Sequence, residues 1–230
     1  METSANAGRN QDNILKCMGR TFSCAFSYSV HKWHFLHTEW GKNMDYEAKE
    51  ASCIPQVTHR EPRLTGQGVL IAVLDSGIDY FLTEFRNSDG TPRILALWEQ
   101  TAVPNAERGW LPPEGYTEGV VYTRENLNAA LAAGSRQEGL AIVPQQDVSG
   151  HGTAVAALAA GSQSGVAVQA QLVIVKLGNP LAESFPRTTQ LMRGISYAVN
   201  LGVELNMPVV INLSFGNTYG DHRGESLLER

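Results

Sequence analysis

The sequence predicts an α/β fold: a doubly wound, mostly parallel sheet with helices on both faces. Three observations carry this. Val69–Leu74 (VLIAVL) is an unbroken apolar run rich in Val and Ile, preceded by Gly66 and Gly68, as suits a strand buried on both faces of a parallel sheet. From about Ala51, strand-like runs alternate with helical patterns, the arrangement that crossover connections produce. Residues 151–161 are small and apolar on nearly all sides (Ala154, Val155, Ala156, Ala157, Leu158, Ala159, Ala160), and such a helix is normally enclosed in a large domain.

The remaining elements follow in order. Arg93–Trp98 (RILALW) is a shorter strand after the turn signal Asp89-Gly90. Residues 101–120 carry Pro104, Gly109, Pro112, Pro113 and Gly115 and are expected to form a surface excursion. Thr123 suits the cap of a helix over about 124–133, and Ser135 with Glu138 suits a capping box for a short following turn. Leu172–Lys176 is the next strand. Thr188–Asn206 has Leu191, Ile195, Ala198, Val199, Gly202 and Leu205 at helical spacing, with Pro208 as its stop. Val209–Leu213 reads as a further buried strand.

Residues 1–50 differ. They show no sustained period of 2 or 3.6 residues and are expected to be a leader without clear pattern, disordered or misplaced. His31, His34 and His37 lie near Cys17 and Cys24, but the cysteine spacing is wrong for a zinc site. Three cysteines without framework spacing give no reason to expect disulfides.

Composition excludes several classes. With 230 residues the chain can build one large domain with a real core, or one domain plus an extra segment. A formal charge of −5 is no footprint for nucleic acid or an anionic membrane. No apolar run approaches the roughly 18 residues of a membrane span, and no basic stretch followed by an apolar region marks a signal peptide. Read literally, the chain is cytoplasmic and has no nucleic-acid or membrane partner. Gly66-Gln67-Gly68 precedes a strand instead of following one, so it is no phosphate loop.

Two strings carry chemistry. In Val73-Leu74-Asp75-Ser76-Gly77-Ile78-Asp79 a carboxylate ends a buried strand, where functional groups of open α/β sheets collect. Such an Asp can accept the Nδ1 proton of a histidine, fix its tautomer and stabilise the imidazolium. Alone, the pattern more often marks a turn residue bonding its own backbone. In Ser149-Gly150-His151-Gly152-Thr153 a histidine starts the apolar helix between two glycines that let other backbone approach closely.

Together these strings resemble the subtilase family of serine peptidases. The matching stretches are Gly68 to Asp79, Gly150 to Ala156, and Val210-Ile211-Asn212-Leu213-Ser214-Phe215-Gly216, in the family's order of Asp, His and substrate strand. Ala154 stands where the family often has a second histidine. The long stretch between Asp75 and His151 and the run Phe185–Met192 resemble the clostridial branch that includes the Csp germination proteases. The resemblance implies a subtilisin-like fold and a polypeptide substrate, with residues 51–230 as the N-terminal portion of a catalytic domain incomplete at its C-terminus. It implies Asp75 and His151 as catalytic residues. It implies Ser214, Phe215 and Gly216 as the segment that pairs with extended substrate, where main-chain hydrogen bonds give affinity and side pockets give preference. No cofactor is expected; the resemblance admits calcium, but no metal site is assignable.

The family places its nucleophile in a Gly-Thr-Ser-Met-Ala string well downstream, and an oxyanion-hole asparagine before it. No Gly-Thr-Ser occurs in the 230 residues. Ser226, in Gly224-Glu225-Ser226-Leu227-Leu228, lacks the tight turn of another hydrolase class and reads as a surface residue. In subtilisin, loss of the serine alone costs on the order of 10⁶ in kcat. The expectation is therefore a portion of a serine endopeptidase, shortened by a gene-model, assembly or frameshift accident and inactive by itself. The alternative is a non-catalytic, subtilase-like peptide-binding or regulatory protein, for which intact Asp75 and His151 are not needed.

Overall fold

The structure, a computed structural model, describes residues 48–163, 165–178 and 188–214. The chain divides into two units, Met1–Thr65 and Gly66–Arg230. In the first, helix α1 (Ile54–Thr58) begins with Pro55 in its opening turn, where a missing N–H costs nothing. Cys53, just before it, is disulfide-bonded, which the cysteine spacing gave no reason to expect. The cysteines and histidines weighed for zinc, Cys17, Cys24, His31, His34 and His37, lie outside the described residues.

The second unit is built on a five-stranded sheet of order β3-β2-β4-β1-β5. Its strands are β1 (Leu70–Asp75), β2 (Ile94–Glu99), β3 (Val120–Thr123), β4 (Gln171–Lys176) and β5 (Val209–Asn212). β1, β2, β4 and β5 run parallel, and β3 pairs antiparallel with β2. The sheet is thus mostly parallel, as expected. β3 was not foreseen; it closes the surface excursion and buries Val120 and Tyr122.

Side-chain alternation sorts the sheet into two faces. Ile71, Val73, Leu172 and Ile174 pack on one side against Leu127 and Ala130 of α2 (Arg124–Ala132) and Val155, Ala156 and Ala160 of α4 (His151–Ala160). Leu70, Ala72, Leu74, Val173 and Val175 pack on the other against Leu191, Tyr197 and Ala198 of α5 (Thr188–Glu204). All six residues of β1 are buried. Each fully buried Val, Leu or Ile contributes about 1.5–3 kcal/mol, so two covered faces account for the unbroken apolar run.

Local signals end and start the helices. Thr123 and Asn126 form a capping box at α2. Ser135 Oγ accepts from Glu138 N–H at 3.2 Å and starts α3 (Arg136–Ile142), a helix where the sequence suggested only a turn. Pro208 follows α5 and precedes β5. β5 departs from its reading as a buried strand: among the described residues it is an edge, none of its residues is buried, and Val210 is 56% exposed. No described helix is long and apolar enough to cross a membrane.

Candidate active site

Asp75 is the last residue of β1, and the buried strand leaves it only 6% exposed at the carboxyl end of the sheet. The chain must then turn away. It does so at Gly77, whose φ of 124° is open to glycine alone and where a Cβ would lie 2.3 Å from Gln145 Nε2. His151 is the first residue of α4, which lies over β1 on the face that Ile71 and Val73 share. Close approach of helix start and strand end needs Gly152, because a Cβ there would sit 2.3 Å from Gly77 O.

This packing brings together two side chains 76 positions apart. His151 Nδ1 lies 2.8 Å from Asp75 Oδ1. Asp75 Oδ1 also accepts the Ser76 N–H at 2.7 Å, while Oδ2 is buried with no hydrogen-bond partner among the described residues. The His151 side chain remains 35% exposed against 5% for Asp75. A buried acceptor therefore holds one edge of a ring whose remainder reaches the surface. With its proton on Nδ1, His151 donates to Asp75 and carries its lone pair on Nε2.

The start of α4 is held by side chains. Gly150, in left-handed conformation at φ 74°, provides no side-chain cap. The first three helical N–H groups are instead taken by Ser149 Oγ (from His151, 3.2 Å), Ser76 Oγ (from Gly152, 3.0 Å) and Asp147 Oδ2 (from Thr153, 2.9 Å). Orphan donors at a helix start are satisfied this way. At the other end of α4 the buried Arg93 guanidinium donates to the carbonyls of Ala160 and Val168, so the helix bearing His151 is tied at both ends.

Asp147 and Ser76 were not singled out in the sequence. The available signal was Asp147 shortly before a helix whose own cap position is a glycine. Burial pushes the Asp147 carboxyl up, but hydrogen bonds from Thr153, Ser76 and Gly150 outweigh it and hold the group below its ordinary value. On the adjoining strand ends, Lys176 Nζ pairs with Glu99 Oε2 at 2.6 Å, and Lys176 is the register partner of Asp75.

Of the segment expected to pair with substrate, only Ser214 is described. It lies two residues beyond edge strand β5, and its Oγ donates to Asn212 Oδ1 at 2.7 Å, a local bond. Phe215, Gly216 and Ser226 lie outside the described residues. Among the described residues no group of three or more His, Cys, Asp or Glu is placed to hold a metal ion.

The architecture is found in known proteins. The solved structure of the Clostridium perfringens CspB protease superposes with a TM-score of 0.65 at 35% identity, covering 80% of this chain and 37% of that one. The chain thus spans little more than a third of that protease's length. No curated protein matches the chain. The model of the Subtilase family of S8 peptidases matches residues 66–228. With most of the chain so matched, and a Csp-type protease similar to it in fold and sequence, this protein belongs to the subtilase family of serine peptidases.

Proposed function

We propose that this chain supplies the acid and base of an Asp-His-Ser triad that cleaves polypeptides, as the N-terminal portion, from about residue 51, of an endopeptidase catalytic domain. The observation that carries this reading is the 2.8 Å approach of His151 Nδ1 to Asp75 Oδ1, with the carboxylate buried and the ring partly open.

In this mechanism Asp75 holds the Nδ1 proton, so Nε2 is the basic atom. Nε2 takes the proton of a serine hydroxyl as its oxygen attacks the scissile carbonyl. The imidazolium so formed is stabilised by Asp75, and Nε2 then gives the proton to the departing amine, leaving an acyl-serine for water to cleave. The serine and the donors for the developing oxyanion belong to sequence outside these 230 residues, which contain no Gly-Thr-Ser. Extended substrate adds alongside Ser214, Phe215 and Gly216, the residues that follow β5 in the sequence.

The test is peptide hydrolysis by residues 1–230, alone and joined to or mixed with the nucleophile-bearing C-terminal part of a subtilase domain. The chain alone should show no turnover. The complemented enzyme should cleave peptide, be blocked by serine-directed inhibitors, and lose activity in His151→Ala. Inhibitor-sensitive activity from 1–230 alone would overturn the reading and make Ser226 the first suspect. A complemented protein that folds and binds peptide without cleaving it would place the chain among non-catalytic regulators.

A further inference from the structure

We propose that Asp147 is a positioning residue for the acid–base pair: it clamps the strand end that carries Asp75 to the helix start that carries His151. The inference rests on reading that pair as half of a triad.

Nothing covalent fixes Asp75 relative to His151; the geometry depends on how the end of β1 docks on the start of α4. Asp147 touches both sides with one carboxylate. Its Oδ1 accepts the Ser76 hydroxyl proton at 2.8 Å and the Gly150 N–H at 2.9 Å. Its Oδ2 accepts the Thr153 N–H at 2.9 Å and the Thr153 hydroxyl proton at 2.6 Å. Ser149 Oγ lies 3.1 Å from the same Oδ1 and 2.8 Å from Ser76 Oγ, its one proton serving either.

The two sides are then tied onward. Ser76 adjoins Asp75, donates its N–H to Asp75 Oδ1, and accepts the Gly152 N–H on its hydroxyl. Thr153 Oγ1 accepts the Asp79 N–H at 2.9 Å, fastening the loop after β1 a second time. Only an ionised carboxylate can accept from all these donors. An asparagine would turn an NH₂ group toward N–H and O–H groups that need an acceptor.

A helix cap alone would affect stability. A positioning residue should also affect the pair it aligns, so the test needs a readout beyond melting. We would compare the far-downfield Nδ1–H proton signal of His151 in the 230-residue chain, and kcat and KM in the complemented enzyme, for wild type, Asp147→Asn, Ser76→Ala and Thr123→Ala. Thr123 caps α2, remote in the chain from the pair, and controls for general loss of stability.

Asp147→Asn should broaden or abolish the signal and lower kcat on the order of 10²-fold, the cost of a misplacement near 1 Å, with KM unchanged. Ser76→Ala, which cuts the link to β1 but leaves Asp147 on Gly150 and Thr153, should move both readouts the same way by less. It also provides the test if Asp147→Asn does not fold. Thr123→Ala should leave both unchanged. A lower melting temperature in Asp147→Asn with signal and kcat intact would overturn the proposal and reduce Asp147 to a cap, as would a folded Ser76→Ala with both readouts at wild-type values. If the wild-type complemented enzyme fails to cleave peptide, the triad reading fails, and the proton signal still decides whether Asp147 positions His151.

Discussion

β1 has two parallel neighbours of similar composition and opposite surroundings. On one side, the central four residues of β4, Leu172–Val175, are fully buried between helices. On the other, β5 offers Val209, Val210 and Ile211, has no buried residue, and is the outermost strand among the described residues. Asp75 and His151, the proposed acid–base pair, lie over the enclosed part of the sheet, where α4 is tied at both ends. Ser214, the one described residue of the segment proposed to meet substrate, lies two positions beyond β5. Enclosure suits a proton relay, the role proposed for Asp75 and His151, whose atoms must stay aligned.

The largest effects should come from the enclosed side. In the complemented enzyme His151→Ala should lower kcat on the order of 10⁶-fold, as the corresponding loss does in subtilisin. Asp75→Asn should cost roughly 10⁴-fold by favouring the wrong tautomer. Steady-state kinetics checks both. Comparable losses from Val210→Ala would erase the distinction between enclosed and open sides.

Stability should divide the same way. Ile174→Ala on β4 removes a fully buried side chain and should cost about 2–5 kcal/mol. Val210→Ala should stay within about 0.5 kcal/mol, being more than half exposed. Chemical denaturation of the two variants measures the contrast, and equal losses would show that β5 is covered in solution. Thr123→Ala, removing the α2 cap, should cost about 1 kcal/mol by the same measurement.

A smaller, pH-dependent effect should appear at the site itself. The Asp147 carboxyl is held below its ordinary value in the folded state. The unfolded chain therefore binds the proton more readily, and stability rises with pH through the carboxylate range. The contribution is complete above the unfolded value and is lost as pH falls through the folded one. The melting-temperature gap between wild type and Asp147→Asn should be widest near neutrality and close in acid. A gap constant across that range would mean that the charge is not what the donors require.

Much of this division was legible in the sequence, for identifiable reasons. β1 and β4 were visible because strands covered on both faces need unbroken apolar runs. α2 was visible because Thr123 is a cap of the expected kind. Asp75 and His151 stood out because their flanking glycines and chain order are unusual together. β5 looked like β1 because a Val-Ile run is the same string at an edge or in the centre; enclosure depends on what packs alongside. β3 is only four residues and follows a stretch rich in Pro and Gly, so its register with β2 is set by tertiary pairing. Asp147 carried only a local capping signal; its link to Ser76, 71 positions away, is recorded in no local pattern.

The central claim is that Asp75 and His151 act as one unit. A double-mutant cycle on kcat in the complemented enzyme, with Asp75→Ala, His151→Ala and the double variant, tests it most directly. The double variant should be no slower than His151→Ala alone, because removing either member already disables the relay. A double variant slower by the product of the two single losses would mean that the residues contribute independently and that their 2.8 Å approach is not the basis of catalysis.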